Sequence, residues 1–86
     1  MADGIKPELT AFTRLMESRL EENASRGDWH AYNFYYLISS LVANLGTLVR
    51  AYEVKNPEVV RRSAADTANY CMMISDLYGP TPGKKK

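Results

Sequence analysis

Between Asp28 and Glu53 this chain of 86 residues has no acidic side chain, and Arg50 is the only fixed charge in that stretch. No catalytic or metal-binding carboxylate can come from it. The single cysteine, Cys71, excludes an internal disulfide. Because it lies within an apolar helical pattern, it is expected to be a buried free thiol. The single histidine, His30, has no second histidine or cysteine near it in sequence and is a poor start for a zinc site. No hydrophobic run reaches the length of a membrane span. Residues Met1 to Pro7, broken by Asp3 and Lys6, lack the apolar core of a signal peptide. The expectation is a cytoplasmic protein, or one in the cytoplasm of a host if the gene is viral, with no membrane partner.

The formal charge of +1 reflects eleven basic against ten acidic residues, and three of the bases are Lys84, Lys85 and Lys86. Without them eight bases face ten acids, so the body of the chain is slightly acidic. Binding to DNA or RNA needs basic residues gathered on a folded surface and is disfavoured. The lysines follow Gly79, Pro80, Pro82 and Gly83, and residues 80–86 read as a flexible basic tail. Residues 1–7 read as an N-terminal extension and 8–79 as one helical domain.

The rest of the pattern is helical. Pro7 and Glu8 suit a helix start, and Phe12, Leu15, Met16, Arg19 and Leu20 recur at helical spacing up to about Asn23. Ala24-Ser25-Arg26-Gly27 supplies a break, and Asp28 is placed to cap a long second helix running from Trp29 to Tyr52. That helix has apolar or aromatic residues all around it, Tyr32, Tyr35, Tyr36, Leu37, Leu41, Leu45 and Tyr52 among them. A helix of this kind is buried on most sides. So small a domain buries too little surface to cover such a face alone, so part of the burial is expected from a second copy of the chain. The third helix is well punctuated, with Asn56 as cap, Pro57 at its first position, Glu58 in the first turn and Gly79-Pro80 as the stop. Val59, Val60, Ser63, Ala64, Thr67, Tyr70, Cys71, Ile74 and Leu77 form its expected inner stripe. The short Glu53-Val54-Lys55 connection makes the second and third helices antiparallel neighbours.

Three local patterns carry a resemblance. They are Arg19-Leu20-Glu21-Glu22-Asn23 followed by Arg26-Gly27-Asp28-Trp29; Asn56-Pro57-Glu58; and the run from Ala64 through Asp66, Asn69, Met72 and Met73 to Asp76. Together they resemble the small MazG-like proteins of the all-α nucleotide pyrophosphohydrolase superfamily over about residues 9 to 79. The resemblance implies an all-α antiparallel helical bundle completed by oligomerisation, as a dimer or tetramer. It also implies magnesium-dependent cleavage of nucleoside triphosphates, through a Glu-Glu-x-x-Glu motif on one helix and Glu-x-x-Asp on the next. Counted back from Asn56-Pro57, the first motif falls on Ala43, Asn44, Leu45, Gly46 and Thr47; the second falls on Ser63 to Asp66. Only Asp66 keeps a carboxylate. One acid with amide and hydroxyl neighbours cannot neutralise a triphosphate and activate a water as a magnesium cluster does.

The expectation is therefore a non-catalytic MazG-like protein without metal or cofactor. It would bind a nucleotide or a nucleotide-derived signal such as a cyclic nucleotide, with sequestration as one use of that binding. By the resemblance, Asn23, Arg26, Trp29 and Asn69 line or support the pocket, Trp29 suiting base stacking and Arg26 a phosphate. Asn44, Thr47, Arg62, Ser63 and Asp66 occupy or adjoin the altered motifs. Asp66 either is held by hydrogen bonds to Asn44, Thr47 or Ser63 or orients a ligand. Arg26 and Trp29 could equally be a solvated arginine and a tryptophan capping the bundle, and the tyrosines read as core or subunit interface. The alternatives are a protein-interaction or inhibitor module on the same scaffold and, last, a residual pyrophosphohydrolase.

Overall fold

A computed structural model of the chain describes residues 4–24 and 27–79. Arg26, the basic tail and residues 1–3 of the N-terminal extension lie outside the described residues. Three helices account for most of the remainder: α1 (Pro7–Glu22), α2 (Phe34–Glu53) and α3 (Pro57–Tyr78). Among the described residues there is no strand, and no helix is long and apolar enough to cross a membrane.

Helix α1 begins with Pro at its first turn and Glu8 near the positive end of its dipole. It closes at Asn23, whose backbone N–H and side-chain Nδ2 both donate to the Arg19 carbonyl. Gly27 then takes φ +100°, a left-handed conformation that a side chain resists. The expected single helix from Trp29 to Tyr52 is two elements. Asp28 accepts from the His30 N–H at 3.1 Å, but it caps only a 3-10 turn, Trp29–Ala31. Asn33, in an extended conformation, caps α2 itself by accepting from the Tyr36 N–H at 2.8 Å. Two good capping residues five apart in a charge-poor segment allow either start, and the second one prevails.

Helix α3 starts as its sequence dictates: Asn56 accepts from the Val59 N–H at 3.2 Å, with Pro57 first and Glu58 in the opening turn. It stops at Gly79, where a Cβ would stand 2.9 Å from the Ser75 carbonyl oxygen, so a larger residue would have to displace backbone.

Contacts between helices fix the topology. Asn69 meets Met16 and Asp66 meets Arg19, so α1 runs antiparallel to α3. Phe34 meets Tyr78 edge to face at 5.5 Å while the chain turns at 54–56, so α2 is antiparallel to α3 as well. Helices α1 and α2 are thus parallel to each other. The segment between them must return along α3 from the level of Asp66 to that of Tyr78, roughly 18 Å at 1.5 Å per helical residue. Trp29 pins that crossover through Nε1 to Asp76 at 3.3 Å.

The core is small. Among the described residues, Leu37, Ala51, Ala65 and Met73 are the buried hydrophobic ones, and Leu37 is the one large side chain fully enclosed. Ser63 and Asn69 are buried with them. The inner line of α3 therefore includes Ala65, Asn69 and Met73, which recur every fourth residue. Cys71 is exposed, contrary to expectation, because it sits about 200° around the helix from both Asn69 and Met73. The expected stripe on α3 had the wrong phase: of its residues only Ser63 is buried, and it left out Ala65, Asn69 and Met73. Helix α2 buries Leu37 and Ala51 but leaves Tyr35, Val42, Leu45, Val49 and Tyr52 exposed, so within one chain it is covered on one side alone.

Candidate functional site

A cavity of about 510 Å³ lies under the crossover, between the end of α1 and the middle of α3. Its wall includes Arg19 and Asn23 from α1 and its cap, Trp29 and Tyr32 from the crossover, Asn44 from α2, and Asp66, Asn69, Tyr70 and Met73 from α3. The volume is within the usual range for small-molecule sites.

Arg19 and Asp66 dominate its electrostatics. The guanidinium donates from Nε to Oδ1 at 2.8 Å and from Nη2 to Oδ2 at 3.0 Å, a two-pronged ion pair. Nη1 donates to Glu22. Both partners of the pair are largely withdrawn from water, at 16% and 17% side-chain exposure. The hydrogen bond to Asp66 holds the Arg19 guanidinium above its ordinary range, against burial, which acts the other way. Of the two readings of Asp66, hydrogen bonds to Asn44, Thr47 or Ser63 are not what holds it; Arg19 does. Asn44 donates to the Ser40 carbonyl at 2.8 Å and Thr47 to the Ala43 carbonyl at 3.2 Å, each satisfying itself on its own helix.

Three asparagine amides line the cavity, each with Nδ2 donating to a backbone carbonyl: Asn23 to Arg19, Asn44 to Ser40, and Asn69 to Met16 at 3.0 Å. Those bonds fix which way each amide faces, since a flip would set two oxygens against each other. Each is left with Oδ1 as its acceptor, and that of Asn69 is buried with no hydrogen-bond partner.

The crossover carries a second polar group. His30 bonds Asp28 Oδ1 through Nδ1 at 2.7 Å and approaches Asp76 Oδ2 through Nε2 at 3.2 Å. Its ring stacks on Trp29 with centroids 5.1 Å apart. Only the other face of the indole can receive a planar ligand. The hydrogen bond to Asp28 raises the imidazole above its ordinary 6.5, opposed by desolvation and helped by the charges of Asp28 and Asp76. The same bond lowers the Asp28 carboxyl below 3.8. The sign follows for each: the His30 contribution is complete below pH 6.5 and fades as pH rises through its raised value. That of Asp28 is complete above pH 3.8 and fades as pH falls through its lowered one. Both groups are exposed, so the effect is read in titration and not in stability. In an NMR titration His30 will have a midpoint above 6.5, and Asp28→Asn will bring it down toward that value. An unchanged midpoint would show that the Asp28 contact does not persist in solution.

Of the residues singled out from the sequence, Asn23, Trp29, Asn44, Asp66 and Asn69 share this cavity. Thr47 lines a different groove of about 480 Å³ beside the α2–α3 turn, with Arg50 and Asn56. Arg62 is exposed, 3.8 Å from Glu58, and Ser63 is buried between helices without lining either hollow. Arg26 lies outside the described residues. Sequence reasoning missed Arg19, Tyr32, Tyr70 and Met73. Arg19 had a signal: it is the one charge on the apolar stripe of α1, and an inward charge needs a partner.

The magnesium implied by the resemblance does not fit these donors. The cavity holds two carboxylates, of which Asp66 is neutralised by Arg19 and Asp28 is bonded to His30. A guanidinium at 2.8 Å repels the dication that Asp66 would otherwise attract. Among the described residues no three of His, Cys, Asp and Glu gather to hold a metal ion. No family model, no curated protein and no solved structure matches this chain.

Proposed function

We propose that this protein binds a small molecule bearing a nucleobase in the cavity under the crossover and does not cleave it. The observation that carries the reading is the convergence of Trp29 with three oriented asparagines on one cavity of nucleoside size. An indole face suits any base, while amide oxygens and the lone pairs left on Asp66 suit the amino, imino and hydroxyl donors of bases and riboses. Arg19 supports the non-catalytic half: it gives Asp66 the neutralising charge that a metal ion would supply in a hydrolase. On this reading the chain is a MazG-like protein without the hydrolase chemistry, acting in the cytoplasm as an oligomer. Sequestration of a nucleotide signal, cyclic dinucleotides included, is the use that a pocket without turnover would serve.

A thermal-shift panel of nucleosides, nucleotides and cyclic dinucleotides, run in EDTA, tests the proposal. At least one compound will raise the melting temperature. Trp29→Ala will weaken its binding roughly ten- to hundredfold, the loss of about 1–3 kcal/mol of stacking. A panel in which no compound stabilises the protein would sink the reading.

A second reading, an interaction or inhibitor module, is favoured by one observation: the exposed apolar flank of α2.

A further inference from the structure

We propose that this flank of α2 is a coiled-coil seam whose occupant is a second copy of the chain, packed antiparallel. The inference rests on the assembly part of the function proposed above and not on its ligand. Tyr35, Ile38, Val42, Leu45, Val49 and Tyr52 alternate three and four apart, the spacing that keeps a strip facing a partner helix. At 100° per residue the strip is centred about 110° around the helix from Leu37, so packing against α3 leaves it uncovered. Exposures agree: Tyr35 78%, Val42 62%, Leu45 47%, Val49 51% and Tyr52 73%. A contiguous apolar strip of this kind is unusual on a monomer and marks an interaction site.

Three features point to a second copy. First, the strip matches its own reverse. Turned end for end about the middle of α2, Tyr35 faces the partner's Tyr52, Ile38 the partner's Val49, and Val42 the partner's Leu45, so large residues meet at the ends and aliphatic ones in the centre. Second, charge fits the antiparallel sense. No charged residue occurs in α2 before Arg50, so none is stripped of water in the seam. Glu53 then lies beside the first turn of the partner helix, where the helix dipole favours an acid; in a parallel pair the two Glu53 carboxylates would meet. Third, the area reaches the lower end of what a specific interface needs, about 1,000 Å² over both partners. Two tyrosines this exposed present about 150 Å² each, and with the aliphatic residues the strip offers roughly 500 Å² per copy. Standard interfaces bury about 800 Å² per partner. The flanking Ser39 and Gly46 can add to it, since nothing stands within 4 Å of where a Cβ on Gly46 would be, and a partner can approach closely there.

Sedimentation of the full chain at tens of micromolar, with a cysteine cross-linking series, tests this. The wild type will sediment as a dimer or larger. Val42→Glu with Leu45→Glu will weaken association at least a hundredfold while far-ultraviolet dichroism stays that of the folded protein. With the exposed Cys71 first replaced by serine, Tyr35→Cys and Tyr52→Cys chains will cross-link when mixed, and neither will cross-link to itself. Self-cross-linking of each, or an oligomer indifferent to the glutamates, would overturn this seam and leave assembly standing. A wild-type monomer would overturn both and make a foreign helix the occupant.

Discussion

Replacing Leu37 with alanine will destabilise the protein by about 3–4 kcal/mol, the cost of removing a fully enclosed leucine and leaving a cavity. Leu37 has no exposed surface and is the only large side chain among the described residues of which that is true. The smallness of the core sharpens the effect. The other buried hydrophobic residues described are Ala51, Ala65 and Met73, two of them alanines, so the core has little flexible side chain with which to fill a gap. A domain of this length has roughly 5–10 kcal/mol in total, so this one substitution removes a large share of it. Urea denaturation will show a lower midpoint with little change in slope. Val42→Ala, on the exposed flank of the same helix, will change the stability of a single chain by less than about 1 kcal/mol. Equal losses at the two positions would mean that α2 packs on a different face.

Arg19→Ala will cost about 2–3 kcal/mol and lower the melting temperature by roughly 10–20 °C, because it leaves the Asp66 carboxylate withdrawn from water without its partner. The loss falls short of that for a wholly buried pair, since some solvent reaches both side chains. Asp66→Ala will cost a similar amount by stranding the guanidinium, although Glu22 still holds one of its nitrogens. The informative variant is the double one. Arg19→Met with Asp66→Leu removes both charges and keeps the volume, and will be more stable than either alanine variant. Additive losses would show that the two side chains do not form the pair in solution.

How much of this was legible in the sequence differs element by element. Helix α3 could be read almost to the residue, because Asn56, Pro57, Glu58 and Gly79 act within a few residues of themselves. The start of α1 was equally plain. The start of α2 was not, since Asp28 and Asn33 are both capping residues and an all-apolar helix has no phase to choose between them. The Arg19–Asp66 pair spans 47 positions. Spacing rules end within a helical turn or two, so only the oddity of a charge on an apolar stripe pointed to it. Cys71 was misjudged for a related reason: on a helix touched from two sides, small and apolar residues spread widely and the buried line is blurred. The resemblance named Asn23, Trp29, Asn44, Asp66 and Asn69, far apart in the chain, and they surround one cavity. Thr47 and Ser63 came from motif positions that have lost their ligands and Arg62 from beside one, and all three stand apart from it.

The most direct test of binding without cleavage is one phosphorus NMR experiment on a phosphate-bearing ligand taken from the thermal-shift panel, with protein and ligand at equal concentration and magnesium present. The expected result is a set of phosphate resonances that shift or broaden on addition of protein, recover on its removal and give rise to no new species over many hours. Resonances that never respond to the protein would contradict binding. Growth of pyrophosphate and monophosphate signals above a protein-free control, abolished by Asp66→Ala, would show that the cavity turns its ligand over.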